Sequence, residues 1–528
     1  MKASDLLVQC LENEGVSRVY GLPGEEMEDL LFSIRDSSIT FIPTRHEQGA
    51  AFMADVHGRL TGEAGVCLAT LGPGATNLLT GVADAHLDKS PLVAITAQGG
   101  LERLHKESHQ TIDVVDMFDP VTKWNTQITD PDIIPECVRK AFKFAEIEKP
   151  GVTHLELPED VAGQHSTKHL LHAQHRTRTG RPTEADLEEV HAELKQADRP
   201  LIIAGNGAVR TDASEHLRRI CSCAGIPVVS TYMGKGAISD RSDRSLMTLD
   251  SGSNAEAAEA VGRADMILTV GYDIAEHDPA DWNRNPDGPI IHIDSEPAEV
   301  YEVYSPDLEI IADIATTLRE LADRCEADVP DCDTTWYQAL RERIVEHTQE
   351  STSSEAPFNL RELLPVLREE MDARDVLVSD VGSHKMAIAQ HFPTYEPNTC
   401  IISNGFASMG IAVPGALAAD QVVDSNVVAA TGDGGFLMNA AEIETAVRTG
   451  CEFTIVVFRD DDYGLISEKQ QNHTGESFGT ELSNPDLVTM AKSYEINGYR
   501  PETTEQFRRV LKESLEGGLS LIDVEIEG

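Results

Sequence analysis

The sequence predicts an α/β protein made of three doubly wound domains, each built on a parallel β-sheet. Two observations lead to this fold class. Short apolar runs alternate with helical patterns along the chain, and polar segments at 165–185 and 328–357 interrupt the alternation. Alternating strands and helices are typical of parallel sheets, and 528 residues provide for roughly three domains. We therefore expect domains at residues 1–165, 186–330 and 356–528, joined by linkers.

The individual elements follow from hydrophobic periodicity. An amphipathic pattern at 3–14 predicts the first helix. The strands are predicted where short apolar runs are bounded by Gly, Pro or Asp. These runs lie at residues 18–20, 39–43, 65–69, 92–96, 200–204, 226–230, 266–270, 290–293, 427–430 and 453–458.

The charge balance excludes some partners. The chain has 90 acidic and 43 basic residues and a formal net charge of −47, so it repels nucleic acid and anionic membranes. Because the acids are dispersed, we expect an acidic surface adapted to a salty cytoplasm, with an ordinary acidic enzyme as the alternative. The nine cysteines show no zinc spacing, and neither a signal peptide nor an 18-residue apolar run is visible. A cytoplasmic protein is expected.

The central block contains a weak nucleotide signal. The segment 205–207 (GNG) resembles the start of a dinucleotide fingerprint, but Arg210 stands where the third glycine belongs. The block also offers no convincing catalytic set. A nicotinamide-dependent enzyme is therefore a disfavoured alternative.

The strongest chemical signal lies in the third block. Asp433 follows the apolar run at 427–430, and Asp460 follows the run at 453–458, with enough chain between them for one strand–helix–strand unit. Parallel strands bring their carboxyl ends to one sheet edge, where open α/β sheets bind ligands. Two carboxylates there suit Mg²⁺, and nearby glycines let backbone N–H groups approach phosphates. A plain Asp-Gly turn is the alternative interpretation.

Two segments of the first block also place polar groups after strands. The segment 46–48 (HEQ) opens an Ala-rich helix, and the segment 72–77 (GPGATN) forms a rigid turn before another helix. On local sequence alone, Glu47 is equally well explained as a favourable charge at a helix start. The Gly-Pro-Gly turn is equally well explained as a plain connection.

Taken together, these segments resemble the thiamine-diphosphate enzymes of the acetohydroxyacid synthase and pyruvate oxidase group. The resemblance covers nearly the whole chain and implies a pyrimidine-binding domain first, a central domain second and a diphosphate-binding domain third. It rests on the order and spacing of HEQ at 46–48, AAFMA at 50–54, GPGATN at 72–77, SNG at 403–405 with Met409, and GDGG at 432–435 with its acidic downstream half.

The resemblance implies roles for individual residues. Glu47 would hydrogen-bond the aminopyrimidine ring of thiamine diphosphate and so activate the cofactor. Met409 would hold the two cofactor rings in a bent conformation. Mg²⁺ would be bound by Asp433, by Asp460, where most relatives have Asn, and by the backbone carbonyl of Asp462. The other implied cofactor contacts are Gly24, Pro73, Asn77, Gly382, Ser383, His384, Ala407, Gly434, Gly435, Asp462, Gly464 and Leu465.

The implied reaction is that of an acetolactate synthase, in which one pyruvate loses carbon dioxide and is joined to a second 2-oxo acid. Gln110 and Lys123 lie in segments similar to those of catabolic acetolactate synthases and are candidates for substrate contacts. Residues 271–277 lack the arginines that biosynthetic relatives carry beside FAD, so no FAD is expected. Lys469 matches neither branch; it would pair with an acceptor carboxylate or be solvated.

The resemblance also implies partners. Glu47 of one chain would meet Asp433 and Asp460 of another, so a homodimer or homotetramer is expected, and a separate regulatory subunit is a further possible partner. One alternative keeps the cofactor in another 2-oxo acid decarboxylase, oxidase or carboligase. A second alternative is a non-catalytic paralogue that acts as a binding subunit.

Overall fold

A computed structural model of the chain describes residues 1–172, 177, 179–249, 255–283, 288–330, 332–349 and 354–527. It contains three six-stranded parallel sheets with helices packed against them, which confirms the predicted fold class. Parts of both predicted linkers, residues 173–176, 178, 331 and 350–353, lie outside the described residues.

The N-terminal sheet consists of β1 (Arg18–Gly21), β2 (Thr40–Pro43), β3 (Gly65–Ala69), β4 (Leu92–Gln98), β5 (Trp124–Gln127) and β6 (Val152–Pro158). Its order is β2-β1-β3-β4-β6-β5. Strands β3, β4 and β6 are buried at every position, as continuous apolar runs in a covered parallel sheet should be. The helices of this domain are α1 (Ala3–Asn13), α2 (Glu28–Arg35), α3 (Glu47–Thr61), α4 (Pro73–Leu87), α5 (Val114–Phe118), α6 (Ile134–Glu146) and α7 (Glu159–Ala162).

The central sheet consists of β7 (Pro200–Ala204), β8 (Val228–Ser230), β9 (Ser245–Thr248), β10 (Met266–Val270), β11 (Ile290–Asp294) and β12 (Leu308–Ile311). Its order, β12-β11-β10-β7-β8-β9, is the arrangement common in dinucleotide-binding domains. Its helices are α8 (Glu184–Gln196), α9 (Asn206–Arg210), α10 (Ser214–Ala224), α11 (Ala255–Arg263), α12 (Pro279–Trp282), α13 (Ile314–Ala327) and α14 (Gln338–Gln349).

The C-terminal sheet consists of β13 (Val376–Ser379), β14 (Cys400–Ile402), β15 (Val427–Gly432), β16 (Thr454–Arg459), β17 (Asn497–Tyr499) and β18 (Ser520–Glu525). Its order, β14-β13-β15-β16-β18-β17, repeats that of the N-terminal sheet. Its helices are α15 (Leu360–Glu370), α16 (Ser383–His391), α17 (Ala412–Asp420), α18 (Asp433–Asn439), α19 (Glu442–Thr449), α20 (Gly464–Thr474), α21 (Leu487–Ser493) and α22 (Thr504–Leu515). Single-turn 3₁₀ helices lie at Glu25–Met27, Leu101–Arg103, Asp119–Val121, Pro131–Ile133 and Ile274–Glu276.

The N-terminal and C-terminal domains share one hydrophobic core. Helix α3 packs against α17 through small residues, and a Cβ built on Gly415 would come within 2.9 Å of the Val56 side chain. The buried core cluster runs without interruption from Ala50 on one side to Ala416 on the other. The first and third domains are therefore fixed relative to each other within the chain.

The segment predicted to be the second linker, which is acidic and helical in sequence, contains helix α14. Helix α14 lies inside the segment 328–357 and packs against α11 and β9, with Leu340 and Ile344 buried in the central core. The acidic composition of the segment concealed this short apolar stripe. Across the described ranges, no helix has both the length and the apolar character that a bilayer crossing requires.

Candidate active site

The C-terminal sheet ends in three aspartates at one edge. Asp380 follows β13, Asp433 follows β15 and Asp460 follows β16, and these strands are neighbours in the sheet. The strand order reverses between β13 and β15, and such a switch point is where open α/β sheets form a ligand crevice. The sequence pattern predicted this convergence for Asp433 and Asp460.

A pocket of about 170 Å³ lies at this edge. It brings together every site residue predicted in the third domain, from the loops after β13, β15 and β16 and from the segment before α17. Its lining consists of Val381, Gly382, Ser383, His384, Ala407, Met409, Gly432, Asp433, Gly434, Gly435, Phe458, Asp460, Asp462, Tyr463, Gly464, Leu465, Ile466 and Ile526.

The two predicted metal ligands, Asp433 and Asp460, both have raised pKa values. Burial raises the pKa of Asp433, and burial together with the charge of Asp433 raises the pKa of Asp460 to about 6. A divalent cation between two such carboxylates would offset both effects. Among the described residues no group of three His, Cys, Asp or Glu side chains forms a metal cluster. The backbone carbonyl of Asp462 stays a prediction as a third ligand.

Several pocket features fit a diphosphate group. His384 is buried, and its Nε2 atom has no hydrogen-bond partner within the described part of the chain. The backbone around it leaves room that a side chain would fill: a Cβ on Gly434 would lie 2.8 Å from the Tyr463 ring, and one on Gly464 would lie 2.5 Å from Asp460 Oδ2. Narrow glycine-lined walls of this kind let backbone N–H groups reach phosphate oxygens.

Sequence reasoning missed two residues that organise this edge. Asp380 is buried and accepts hydrogen bonds from the backbone N–H groups of Val381 and Gly410 at 2.7 and 2.8 Å. Asn484 donates to Asp433 Oδ2 at 2.5 Å and to Asp461 Oδ1 at 2.7 Å. Asp380 carried a readable signal, an aspartate directly after an apolar run. Asn484 had none, because it lies in a loop far along the chain.

The N-terminal sheet presents a second polar edge. Glu47 is 5% exposed at the start of α3, and its Oε2 accepts a hydrogen bond of 2.9 Å from Asn77 Nδ2. Gly24 follows β1 and lies against Thr70, and Pro73 opens α4, so both sit at the same switch point between β1 and β3. The structure therefore brings together the predicted set Gly24, Glu47, Pro73 and Asn77.

Of the two candidate substrate residues, only Gln110 joins this edge. Its backbone has a positive φ of 57°, and a Cβ on Gly72 would lie 2.4 Å from the Gln110 carbonyl oxygen. Lys123 precedes β5 and therefore lies at the amino end of the parallel sheet, opposite Glu47. Its ammonium donates to the carbonyls of Ile147 and Lys149 at 2.9 and 2.5 Å. The structure does not bring Lys123 together with the other candidates.

Within one chain the two edges remain separate. No described residue of the N-terminal domain lines the C-terminal pocket. Glu442 of α19 is one link between the two domains, and its Oε1 accepts hydrogen bonds from the backbone N–H groups of Arg45 and His46 at 2.9 and 3.0 Å. That contact fixes the turn that leads into Glu47.

At the corresponding edge of the central sheet, the start of α9 is filled by the chain itself. The buried Glu276 carboxylate accepts hydrogen bonds of 3.0 Å from Asn206 N, at the start of α9, and of 2.5 Å from the Thr231 hydroxyl. Lys149 reaches in from the N-terminal domain and pairs with Asp273 at 2.6 Å. A dinucleotide phosphate would need the N–H groups that Glu276 occupies.

The fold and the pocket thus define a class: three-domain α/β proteins with a glycine-lined pocket that carries two aspartates at the edge of the third sheet. Three family profiles match the chain: the thiamine pyrophosphate enzyme N-terminal TPP binding domain at 1–117, the central domain at 187–321 and the C-terminal TPP binding domain at 380–524. Thiamine pyrophosphate is another name for thiamine diphosphate.

Full-length relatives narrow the class further. The chain is 32% identical to the acetolactate synthase of Bacillus subtilis, over 100% of this chain and 93% of the relative. It is 32% identical to a probable acetolactate synthase large subunit of Methanocaldococcus jannaschii (98% and 90%) and 31% identical to a catabolic acetolactate synthase of Raoultella terrigena (97% and 92%). The chain belongs to the acetolactate synthase family of thiamine-diphosphate-dependent enzymes.

Proposed function

We propose that this enzyme is an acetolactate synthase that converts two molecules of pyruvate into 2-acetolactate and carbon dioxide, with uptake of one proton. The observation that carries the proposal is the glycine-lined pocket with Asp433 and Asp460 at its edge. Similarity to acetolactate synthases along the whole chain supports the choice of reaction.

Thiamine diphosphate, when bound, supplies a nucleophilic carbon and an electron sink for the decarboxylation. In the proposed site, Asp433, Asp460 and the Asp462 carbonyl hold Mg²⁺, which neutralises the diphosphate. His384 and the backbone around Gly434 contact the diphosphate oxygens. Each of these groups lines the pocket. The unpartnered Nε2 of His384 supports an anion as a ligand here, and the mutual repulsion of the Asp433 and Asp460 carboxylates supports a cation.

Glu47 is the proposed proton-handling group. Its carboxylate is buried and oriented by Asn77, so it can bind a ring nitrogen of the aminopyrimidine in one defined geometry. Met409 would support the bound cofactor, and Gly24 and Pro73 would line its pyrimidine side. Gln110 is the proposed contact to the substrate, whereas the position of Lys123 argues against a direct one.

A second copy of the chain would complete the site. The pocket lacks N-terminal lining within one chain, and large apolar side chains are exposed around its mouth: Phe406 (46%), Met438 (48%) and Ile466 (50%). Covering such a patch is favourable. We infer a homodimer, or a homotetramer of two such dimers, in which the Glu47 edge of one chain closes over the Asp433 edge of its partner.

We infer that the enzyme works without FAD. The support is the central crevice, where Glu276 already occupies Asn206 N. The acceptor is most simply pyruvate. Lys469 is exposed on α20, five residues after Gly464 of the pocket, and an acceptor with an additional carboxylate would favour a cation there. A separate regulatory subunit, a cytoplasmic location and a requirement for salt are further expectations from the sequence.

The test is a product assay. The full-length protein is incubated with pyruvate, thiamine diphosphate and Mg²⁺ at low and at high salt, without FAD, and acetolactate and carbon dioxide are followed in parallel. The proposal predicts one acetolactate per carbon dioxide. Carbon dioxide with acetaldehyde and no acetolactate would make the protein a decarboxylase. No turnover of any 2-oxo acid, with or without FAD, would favour a non-catalytic binding subunit.

A further inference from the structure

A buried ionic cluster of the N-terminal domain contacts the C-terminal segment that enters the cofactor pocket. The cluster consists of Arg59 on α3, Asp55 on the same helix, and Asp84 and Asp88 at the end of α4. The side chains of the three aspartates are completely buried. The segment is 403–409, which follows β14 and contains the pocket residues Ala407 and Met409.

Asp88 binds the start of this segment through backbone N–H groups. Its Oδ1 accepts a hydrogen bond of 2.5 Å from Gly405 N, and its Oδ2 accepts one of 3.0 Å from Asn404 N and one of 2.7 Å from Arg59 Nη2. Arg59 Nη1 also donates to the Ile402 carbonyl at 2.9 Å. The N–H groups of Asn404 and Gly405 and the Arg59 Nη2 atom donate to the Asp88 carboxylate, and hydrogen bonds to a charged acceptor are stronger than neutral ones.

Asp84 binds the middle of the segment. Its Oδ1 accepts a hydrogen bond of 2.7 Å from the Ser403 hydroxyl and one of 3.2 Å from Ser408 N. Ser408 N also donates to the Ser403 oxygen at 3.0 Å, so the two serines close a small loop. Ala407, at the tip of that loop, has a positive φ of 55°.

The conformation of Ala407 requires support. A left-handed backbone is unfavourable for a residue with a Cβ and persists only where the surroundings impose it. The supports lie on both sides: Asp84 and Asp88 hold residues 403–408, and Asp380 holds Gly410 N at 2.8 Å. Strain of this kind is concentrated at functional sites.

Asn404 connects the same segment to the rest of the molecule. Its side-chain amide donates to the Glu276 carbonyl of the central domain at 2.7 Å, and its side-chain oxygen accepts from Lys385 at 3.0 Å. Lys385 is the residue after His384 of the pocket. All three domains therefore meet at Asn404, which lies four positions before Ser408.

We propose that Asp84 and Asp88 are positioning residues for the cofactor pocket: they hold segment 403–409 so that Ala407 and Met409 stand in the geometry that receives the cofactor. The proposal rests on the proposed function of the pocket. The two aspartates touch neither cofactor nor substrate and act only through the segment. A purely structural role would be stability of the junction between α3, α4 and α17.

The composition of the cluster supports a role beyond stability. Three carboxylates surround one guanidinium, and burial together with the charges of Asp88 and Asp55 raises the pKa of Asp84 well above its ordinary value. A buried excess of acid is costly, and apolar residues of the same volume would hold the helices together better. The acids are explained by the N–H and O–H donors of the segment that they satisfy.

The test uses the full-length chain without cofactor. The Kd for thiamine diphosphate is measured by calorimetric titration in the presence of Mg²⁺ and without pyruvate, and thermal unfolding is recorded in parallel. In Asp88→Asn the amide cannot accept all three donors, and we expect the Kd to rise about tenfold, in line with the loss of charge-assisted hydrogen bonds. Ser403→Ala, a smaller and uncharged change, should raise the Kd about threefold.

Asp55→Asn is the matched control. It removes a carboxylate of equal burial from the same cluster, where Asp55 contacts Arg59 at 2.8 and 3.0 Å, but has no described hydrogen bond to segment 403–409. We expect it to lower the unfolding temperature as Asp88→Asn does and to keep the Kd within about twofold of wild type.

The outcomes distinguish a failure of the proposed function from a failure of the positioning role. If the wild type does not bind thiamine diphosphate, the proposed function is wrong and this inference falls with it. If the wild type binds and Asp88→Asn and Ser403→Ala bind equally well, only the positioning role is overturned. A rise in Kd that Asp55→Asn shares would also overturn it, because stability would then be the cause. Should Asp88→Asn fail to fold, Ser403→Ala decides.

Discussion

The C-terminal and central sheets end in edges of the same type, but they differ in what lies there. The C-terminal edge opens into a pocket, whereas the start of α9 at the central edge is bound by the chain itself. In both, parallel strands converge at a switch point and glycines follow the strand ends. In the C-terminal domain the edge opens into a pocket of about 170 Å³, with two carboxylates and an unpartnered histidine atom. In the central domain Glu276 binds the first N–H of α9, and Gly205 packs against the Gly271 carbonyl.

The comparison teaches that topology alone does not make a nucleotide site. The central sheet has the strand order that is common in dinucleotide-binding domains, yet Glu276 already binds the first N–H of α9. The C-terminal sheet has a different order, and the Nε2 atom of His384 at its edge has no hydrogen-bond partner among the described residues. Whether a sheet edge binds a ligand depends on which N–H groups and carboxylates are left without an internal partner.

The largest effect on activity is expected for Glu47, the proposed proton-handling residue at the edge of the N-terminal sheet. Glu47→Gln should lower kcat about 1,000-fold, because a neutral amide cannot take part in the proton transfer, while the cofactor still binds. Steady-state kinetics and calorimetric cofactor titration measure the two quantities. Glu63→Gln, an exposed change near the end of the same helix, should behave as wild type. Near-normal turnover of Glu47→Gln would remove Glu47 from the mechanism.

The next largest effect tests the metal side of the open edge. Asp433→Asn should weaken Mg²⁺-dependent cofactor binding about 100-fold, because it removes one of two charged ligands. Titration with Mg²⁺ at fixed thiamine diphosphate gives the affinity. Asp424→Asn, on the exposed loop before β15, is the control. Unchanged Mg²⁺ dependence in Asp433→Asn would show that the metal lies elsewhere.

A pair of glycine substitutions tests the comparison itself. Gly434→Ala places a Cβ 2.8 Å from the Tyr463 ring in the open pocket, and we expect about tenfold weaker cofactor binding from the steric conflict. Gly205→Ala places a Cβ 2.3 Å from the Gly271 carbonyl in the filled edge, and we expect about 2 kcal/mol of lost stability without weaker cofactor binding. The reverse assignment of the two effects would contradict the comparison.

The smallest effect is a pH dependence of the filled edge. Burial and the charge of Asp273 raise the pKa of Glu276 to about 8, above its ordinary value of 4.5. The stabilising contribution of the protonated carboxyl is therefore complete below about pH 4.5 and is lost as the pH rises towards 8. Relative to Glu276→Gln, the wild type should lose stability by more than about 1 kcal/mol between pH 5 and 8.

Denaturant unfolding at a series of pH values measures this difference. Glu299→Gln, on an exposed loop of the same domain, should run parallel to the wild type at every pH. Parallel curves for Glu276→Gln and the wild type would mean that Glu276 is ionised in the folded protein without a stability cost.

Much of the fold could be predicted because buried parallel strands have continuous apolar sequences. The run at 92–96 became β4, and Asp433 and Asp460 fell at one edge because parallel strands end together. The helical character of 328–357 was predictable, but the packing of α14 into the central core was not, because only Leu340 and Ile344 mark its buried side in an acidic segment. Local sequence patterns predict buried strands well, but they predict poorly the packing of a helix with few buried residues.

Pocket residues could be predicted only where they lie in short sequence segments next to predicted strands. Residues in turns after strands, such as His384 and Gly434, came from motifs. The filling of the central crevice depends on Glu276 meeting Asn206 N, 70 positions apart, and nothing in either local pattern indicates the contact. Lys123 failed to join the site because its segment precedes its strand and so reaches the opposite edge of the sheet.

The most direct test of the open and filled edges is a cofactor inventory. The full-length protein is dialysed to equilibrium against thiamine diphosphate, Mg²⁺ and FAD together, and both cofactors bound to the protein are quantified. The account predicts one thiamine diphosphate for each chain and no FAD above background. Stoichiometric FAD, or no thiamine diphosphate, would contradict it.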